Sequence, residues 1–140
     1  MSTDFIDSNV FVYLFDETDE RKRTTAERLV HDALDTGQGS ISFQVVQETL
    51  NVLTRKLATP LTPEDARHFL DHVLVPLWTV WPSQALYTRA LNVQARYHFS
   101  FYDALILAAA LEAGCNRLWS EDLQHGQQID GLTIENPFRN

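Results

Sequence analysis

Four carboxylates fall where a folded chain would bring them to one edge: Asp7, Glu48, Asp103 and Asp122. Asp7 ends a short apolar run, Asp4-Phe5-Ile6, that reads as a strand. Asp103 closes the tetrad Ser100-Phe101-Tyr102-Asp103, which heads a helix apolar on every side, and Asp122 follows the strand Arg117-Leu118-Trp119-Ser120 as the second of an acidic pair with Glu121. A helix apolar all round belongs in an interior, and charge taken into an interior must be compensated. Carboxylates crowded together repel, so that without help one or more takes up a proton. An all-oxygen cluster of this kind suits Mg²⁺ or Mn²⁺, and no histidine is spaced to an acid as a zinc site requires. The chemistry on offer is that of a bound divalent cation.

Each acid also has an ordinary explanation. Asp103 completes a capping-box-like tetrad, Asp122 suits a turn after a strand, and Asp7 suits the cap of the next helix. Glu48 lies at the margin of an apolar helical stripe, near Val45 and Val52, and the pattern leaves it open between pocket and solvent. Their shared placement at strand ends and helix starts is what sets them apart.

The elements that must position them alternate. After Asp7, Ser8-Asn9 opens an apolar helical run from Val10 to Phe15, and Asp16 to Arg23 reads as a charged loop before a helix from Thr24 to Leu34. Thr36-Gly37-Gln38-Gly39 reads as a turn, Ser40 to Phe43 as a strand, and Gln44 to Ala58 as a helix with Val46, Leu50, Leu53 and Leu57 in its stripe. Thr62 caps a further helix with Pro63 in first position, which Pro76 is expected to end; Leu77 to Trp81 alternates like a strand, and Ser83 caps a helix to Tyr97. Gly114 stands where the buried helix needs a residue tolerant of positive φ. Gln124 to Gly131 is expected to be a loop or single helical turn, and Leu132 to Glu135 a last strand. Short strands alternating with helices imply an α/β fold, a three-layer α/β/α sandwich on a mostly parallel sheet. In such sheets ligands sit beyond the carboxyl ends of the strands.

The 140 residues suit one domain, 1–140, with no linker or repeat. The lone Cys115 excludes a disulfide framework and reads as a small packed residue. No apolar run reaches a membrane span, and the acidic start lacks the basic segment of a secretory signal, so a cytoplasmic protein is expected. A net charge of −8 argues against a passive nucleic-acid binder. It leaves room for an enzyme that meets phosphates through divalent cations. Arg21, Lys22, Arg23 and Arg28 form the dense basic cluster, either a solvated helix start or a landing site for a phosphate backbone. His125 reads as a surface loop residue.

Strand-Asp7-Ser8-Asn9-Val10, Glu48 in VVQETLNVL, Asp103 in FYDALILAAALEAGC, and Ser120 with Asp122 in LWSEDLQHG, closed by NPF, together resemble the PIN-domain ribonucleases. More narrowly, they resemble the VapC-type toxins of toxin–antitoxin pairs, over essentially the whole chain. The resemblance implies a PIN-like α/β/α sandwich and a metal-dependent endoribonuclease that hydrolyses RNA with metal-activated water. It carries the acidic positions onto Asp7, Glu48, Asp103 and Asp122, with Asp7, Asp103 and Asp122 as ligands of Mg²⁺ or Mn²⁺ and Asn9 and Ser120 as small polar neighbours. Its Ser/Thr-x-Asp pattern selects Asp122 over Glu121. It further implies a homodimer and a protein antitoxin that blocks the acidic pocket. Two other readings stand beside it: a catalytically idle PIN-like binding module, and an aspartate-based, receiver-like phosphotransfer domain. The latter wants a lysine at the pocket, where neither Lys22 nor Lys56 is expected to lie.

Overall fold

The structure, a computed structural model, describes residues 3–139; Met1, Ser2 and Asn140, part of the expected 1–140 domain, lie outside the described residues. The chain runs β1 (Asp4–Ile6), α1 (Ser8–Tyr13), α2 (Glu20–Thr36), β2 (Gly39–Ser42) and α3 (Phe43–Arg55). It continues through α4 (Pro63–Phe69), a π-helical turn (Leu70–Leu74), α5 (Val75–Leu77), β3 (Trp78–Val80) and α6 (Gln84–Tyr97). α7 (Phe101–Glu112), β4 (Arg117–Trp119), β5 (Gln128–Ile129) and β6 (Leu132–Glu135) complete it.

The strands form one sheet in the order β3-β2-β1-β4-β6-β5, parallel except for β5, which pairs antiparallel with β6. Phe5, Leu118 and Ile134 stand side by side in register, fully buried on one face of the sheet. Helices cover both faces, as expected. α7 packs on β2 and β4 with α6 against it, and α2 packs on β2. The run Ala104–Ala110 is buried throughout, which is why α7 shows no polar side. The parallel strands send the residues that follow them, Asp7, the start of α3 and Ser120, to the same edge of the sheet.

The boundaries shift by a residue or two at several elements and differ most from the sequence reading in four places. α2 begins at Glu20 rather than Thr24, because the Asp19 carboxylate accepts from the Lys22 N–H and caps the helix there. α3 stops at Arg55 rather than Ala58. Pro76 does not end its helix: the preceding turn is π-helical, with the Val75 N–H bonded to the Leu70 carbonyl, and Pro76 sits inside α5. A proline ring clashes with the carbonyl four residues back in a regular helix, and the wider turn relieves that contact. Finally, the expected loop 124–131 contains β5, joined to β6 through Asp130 (φ 51°) and Gly131 (φ 89°), an Asp-Gly hairpin turn. Gly114 has φ 75°, as expected of its position.

Candidate active site

Asp7 is where β1 hands the chain to α1. Its carboxylate caps the helix by accepting from the Ser8 N–H at 2.7 Å, and its other oxygen accepts from the Ser120 hydroxyl at 2.7 Å. Its own N–H donates to the Trp119 carbonyl, so the ends of β1 and β4 are locked together. The residue is buried, and loss of water pushes its pKa from 3.8 up to about 6. The bonds from Ser120 and Ser8 work against that rise, while the negative charges of Asp122 and Asp103 add to it.

Ser120, fully buried, in turn accepts from the Asp122 N–H at 3.2 Å. The Asn9 side-chain amide bridges the group, reaching Asp122 at 3.2 Å and both Asp7 and Ser120 at 3.4 Å. Its carbonyl accepts from the Glu121 N–H, which fixes which way the amide faces.

Asp103 lies in the first turn of α7, whose N-cap is Ser100, and its carboxylate makes no hydrogen bond or ion pair with the described residues. Glu48 on α3 is exposed as a whole residue and also unpaired. Yet its pKa rises from 4.5 to about 7, first because the protein takes water from the carboxyl, then through the charges of Asp7, Asp103 and Asp122. The charges of the three aspartates thus act on Glu48 although the residue as a whole is exposed. None of the four acids has a cationic partner among the described residues. A hollow of about 340 Å³ between α2, β1 and β4 contains none of them.

No three His, Cys, Asp or Glu side chains among the described residues converge into a finished ion cage. The donor set nevertheless fits a hard divalent cation. It is all oxygen, it holds two carboxylates lifted toward neutrality, and it lacks a positive charge to balance them.

Glu121 turns the other way. It accepts from the Tyr13 hydroxyl at 2.5 Å and from the Lys22 ammonium at 2.6 Å. Lys22 also reaches the Tyr13 oxygen at 3.1 Å, and Glu121 and Tyr13 hold it charged well above the usual lysine range. The sequence reading placed no lysine near the acids; here one sits beside the turn that carries Asp122. Its partner is 99 positions away, and no local pattern announces the pair. The rest of the basic cluster is largely spent inside the molecule. Arg21 donates to the Phe138 carbonyl and Arg23 to that of Asp16, leaving Arg28 exposed without a partner among the described residues. His125 is exposed, and its Nδ1 accepts from the Asn136 N–H, a structural contact. Cys115 is buried.

Several solved structures share this fold. That of the Mycobacterium tuberculosis toxin VapC20, described as cleaving the sarcin–ricin loop, is 22% identical over 86% of this chain and 92% of that one, with a TM-score of 0.60. A toxin–antitoxin complex from Klebsiella pneumoniae gives a chain 19% identical over 99% of this chain and 100% of its own, at a TM-score of 0.68. DNA-bound VapBC from Salmonella typhimurium gives 22% identity over 98% of this chain and 99% of that chain, at 0.64. No curated protein matches the sequence. The model of the PIN domain matches residues 5–128, a span holding all four acids and both small polar neighbours, and the chain belongs to the PIN domain family.

Proposed function

We propose that this chain is a metal-dependent endoribonuclease and the toxin of a toxin–antitoxin pair, built as a single nuclease domain. One observation carries the reading: carboxylates from four separate stretches of chain share an electrostatic field at one sheet edge, with no cation paired to them among the described residues. The fold neighbours described as a loop-cleaving toxin and as toxin–antitoxin complexes support the biological setting.

A bound Mg²⁺ or Mn²⁺ supplies positive charge that makes water more acidic and offsets charge growing on the phosphate oxygens. Asp7, Asp103 and Asp122 would hold it, with Glu48 beside them. Ser8 and Ser120 fix both oxygens of Asp7, so that carboxylate is oriented before any ligand arrives. Asn9 spans Asp7 and Asp122 and sets their separation. Glu48, which lies in the field of the three aspartates, accepts a proton from the attacking water on a carboxylate oxygen. Attack by water rather than by the ribose 2′-hydroxyl breaks the bond from phosphorus to the 3′-oxygen, which takes a proton from solvent, and leaves 5′-phosphate and 3′-hydroxyl ends.

Among the described residues no helix is long and apolar enough to cross a membrane, and we place the protein in the cytoplasm. Its partners in this reading are RNA, an antitoxin that covers the acids, and a second copy of the chain. Trp81, Tyr87, Leu91 and Tyr102 supply exposed apolar surface for such contacts.

The test is incubation of the purified protein with mixed RNA in Mg²⁺ or Mn²⁺ and in EDTA, alongside Asp7→Asn and Asp103→Asn. Cleavage is expected only with the metal, with 5′-phosphate ends, and at least about 100-fold slower in either variant. Cutting that survives in both variants at full rate rules the reading out. A Mn²⁺ titration without heat in monodisperse protein would favour an idle binding module instead.

A further inference from the structure

We infer that Tyr13, Lys22 and Glu121 form a positioning latch that sets Asn9 and Asp122 for cation binding, an inference that rests on the metal-dependent reading above. Glu121 is the hinge of the arrangement. Its backbone N–H holds the Asn9 carbonyl, which turns the Asn9 amide group toward Asp7, Ser120 and Asp122. Its side chain is gripped at both oxygens, one by the Tyr13 hydroxyl and the other by the Lys22 ammonium. Tyr13 comes from the end of α1 and Lys22 from the first turn of α2. Two helices therefore clamp the turn after β4 at the residue next to Asp122.

The clamp is shielded as well as bonded. The Lys22 ammonium lies 4.8 Å from the centre of the Tyr13 ring and 5.8 Å from that of Phe138, and the two rings meet edge-on at 4.6 Å. The Lys22 and Glu121 side chains are each about three-quarters shielded from water (24% and 25% exposed). Charge-assisted bonds in such surroundings are stronger and more directional than an exposed pair. None of the three side chains bonds to Asp7, Asp103 or Asp122, so they act through Asn9 and the turn rather than on a ligand.

Electrostatics and positioning predict opposite signs for the loss of Lys22. If the lysine only contributes charge, removing it leaves the region more negative and tightens a cation. If it holds the turn, removing it frees Asp122 and Asn9 and weakens a cation. The experiment measures binding of Mn²⁺ alone, from the electron-paramagnetic signal of the free ion, for the wild type, Lys22→Met, Lys22→Arg and Tyr13→Phe. Far-UV circular dichroism confirms that each is folded. Lys22→Met is expected to bind about 5–10-fold more weakly, Lys22→Arg within about two-fold of wild type, and Tyr13→Phe, which changes no charge, about three-fold more weakly. Should Lys22→Met fail to fold, the Tyr13→Phe result decides. Binding by Lys22→Met or Tyr13→Phe as tight as wild type overturns the latch while leaving the metal-dependent reading intact. A wild type that binds no Mn²⁺ overturns both.

Discussion

Asp7 makes the metal-free protein less stable than it would otherwise be at neutral pH. Folding lifts its pKa from 3.8 to about 6, chiefly through burial, and lifts Glu48 from 4.5 to about 7. A carboxyl whose folded pKa lies above its unfolded one binds its proton more tightly when folded. Its contribution is therefore complete below about 3.8 for Asp7 and lost as the pH climbs through about 6; for Glu48 the same window runs from about 4.5 to about 7. Asp7→Asn should consequently raise the stability of EDTA-treated protein at pH 8 by on the order of 2 kcal/mol, and give no gain at pH 3.5. Asparagine keeps an acceptor for Ser8 and a donor for the rotatable Ser120 hydroxyl, and gives up the long 3.4 Å bond from the Asn9 amide. Thermal melts across that pH range check it, and a variant less stable than wild type at pH 8 would show that burial is not the dominant cost. Asp7, Asp103 and Asp122 stood out in sequence because each lies at a strand end or a helix start. Lys22 and Tyr13 did not, since what gives them a role is a carboxylate on another element. Glu48 was only half legible: periodicity places it at the margin of α3, and the charges that act on it come from aspartates on other parts of the chain.

At the scale of elements, α2 and β2 approach unusually closely. A Cβ built on Gly39 would lie 2.5 Å from the Ala33 Cβ, inside any tolerable contact, and 3.2 Å from a terminal methyl of Leu77. Gly39→Ala should push α2 off the sheet and cost about 1–3 kcal/mol. Adding Ala33→Gly should recover much of that loss, because what then remains is the movable Leu77 methyl. Urea unfolding of the single and double variants measures this, and a double variant no better than Gly39→Ala would remove Ala33 as the cause. The sequence showed a turn at Thr36–Gly39, and Gly37, with φ 70°, does end α2 there. Gly39 has a different reason to be glycine, which lies across the layer and not along the chain. β5 could have been found, since Ile129-Asp130-Gly131-Leu132 carries a hairpin signature; its polar flanks hid it. The early start of α2 was likewise signalled by Asp19, but the charge run masked the cap.

The whole molecule carries a net charge of −8, and two of its better-placed cations are already engaged, Lys22 with Glu121 and Arg117 with Asp4 and Glu135. Proteins that grip nucleic acid through many Lys and Arg contacts lose affinity steeply with added salt. This one should not. With Glu48→Gln to slow cutting and Mg²⁺ held constant, raising monovalent salt from about 50 to about 200 mM is expected to change RNA affinity by less than about ten-fold. Omitting Mg²⁺ should abolish binding. A steep salt slope, measured by fluorescence anisotropy, would mean that a basic face elsewhere carries the RNA. The layered α/β plan was open to sequence reasoning because strand and helix periods alternate cleanly; the charge balance at the site was not, because it depends on which cations the fold consumes.

The two ends of the described chain lie at opposite rims of the sheet. The Thr3 carbonyl accepts from the Asn116 N–H just ahead of β4, whereas Phe138 rests on Tyr13, whose hydroxyl holds Glu121 next to Asp122. Strands of three or four residues put these rims roughly 10 Å apart. A dye or affinity handle joined ahead of Thr3 therefore leaves the acids open to an incoming polymer. The same handle joined after Arg139 would overhang them like an awning.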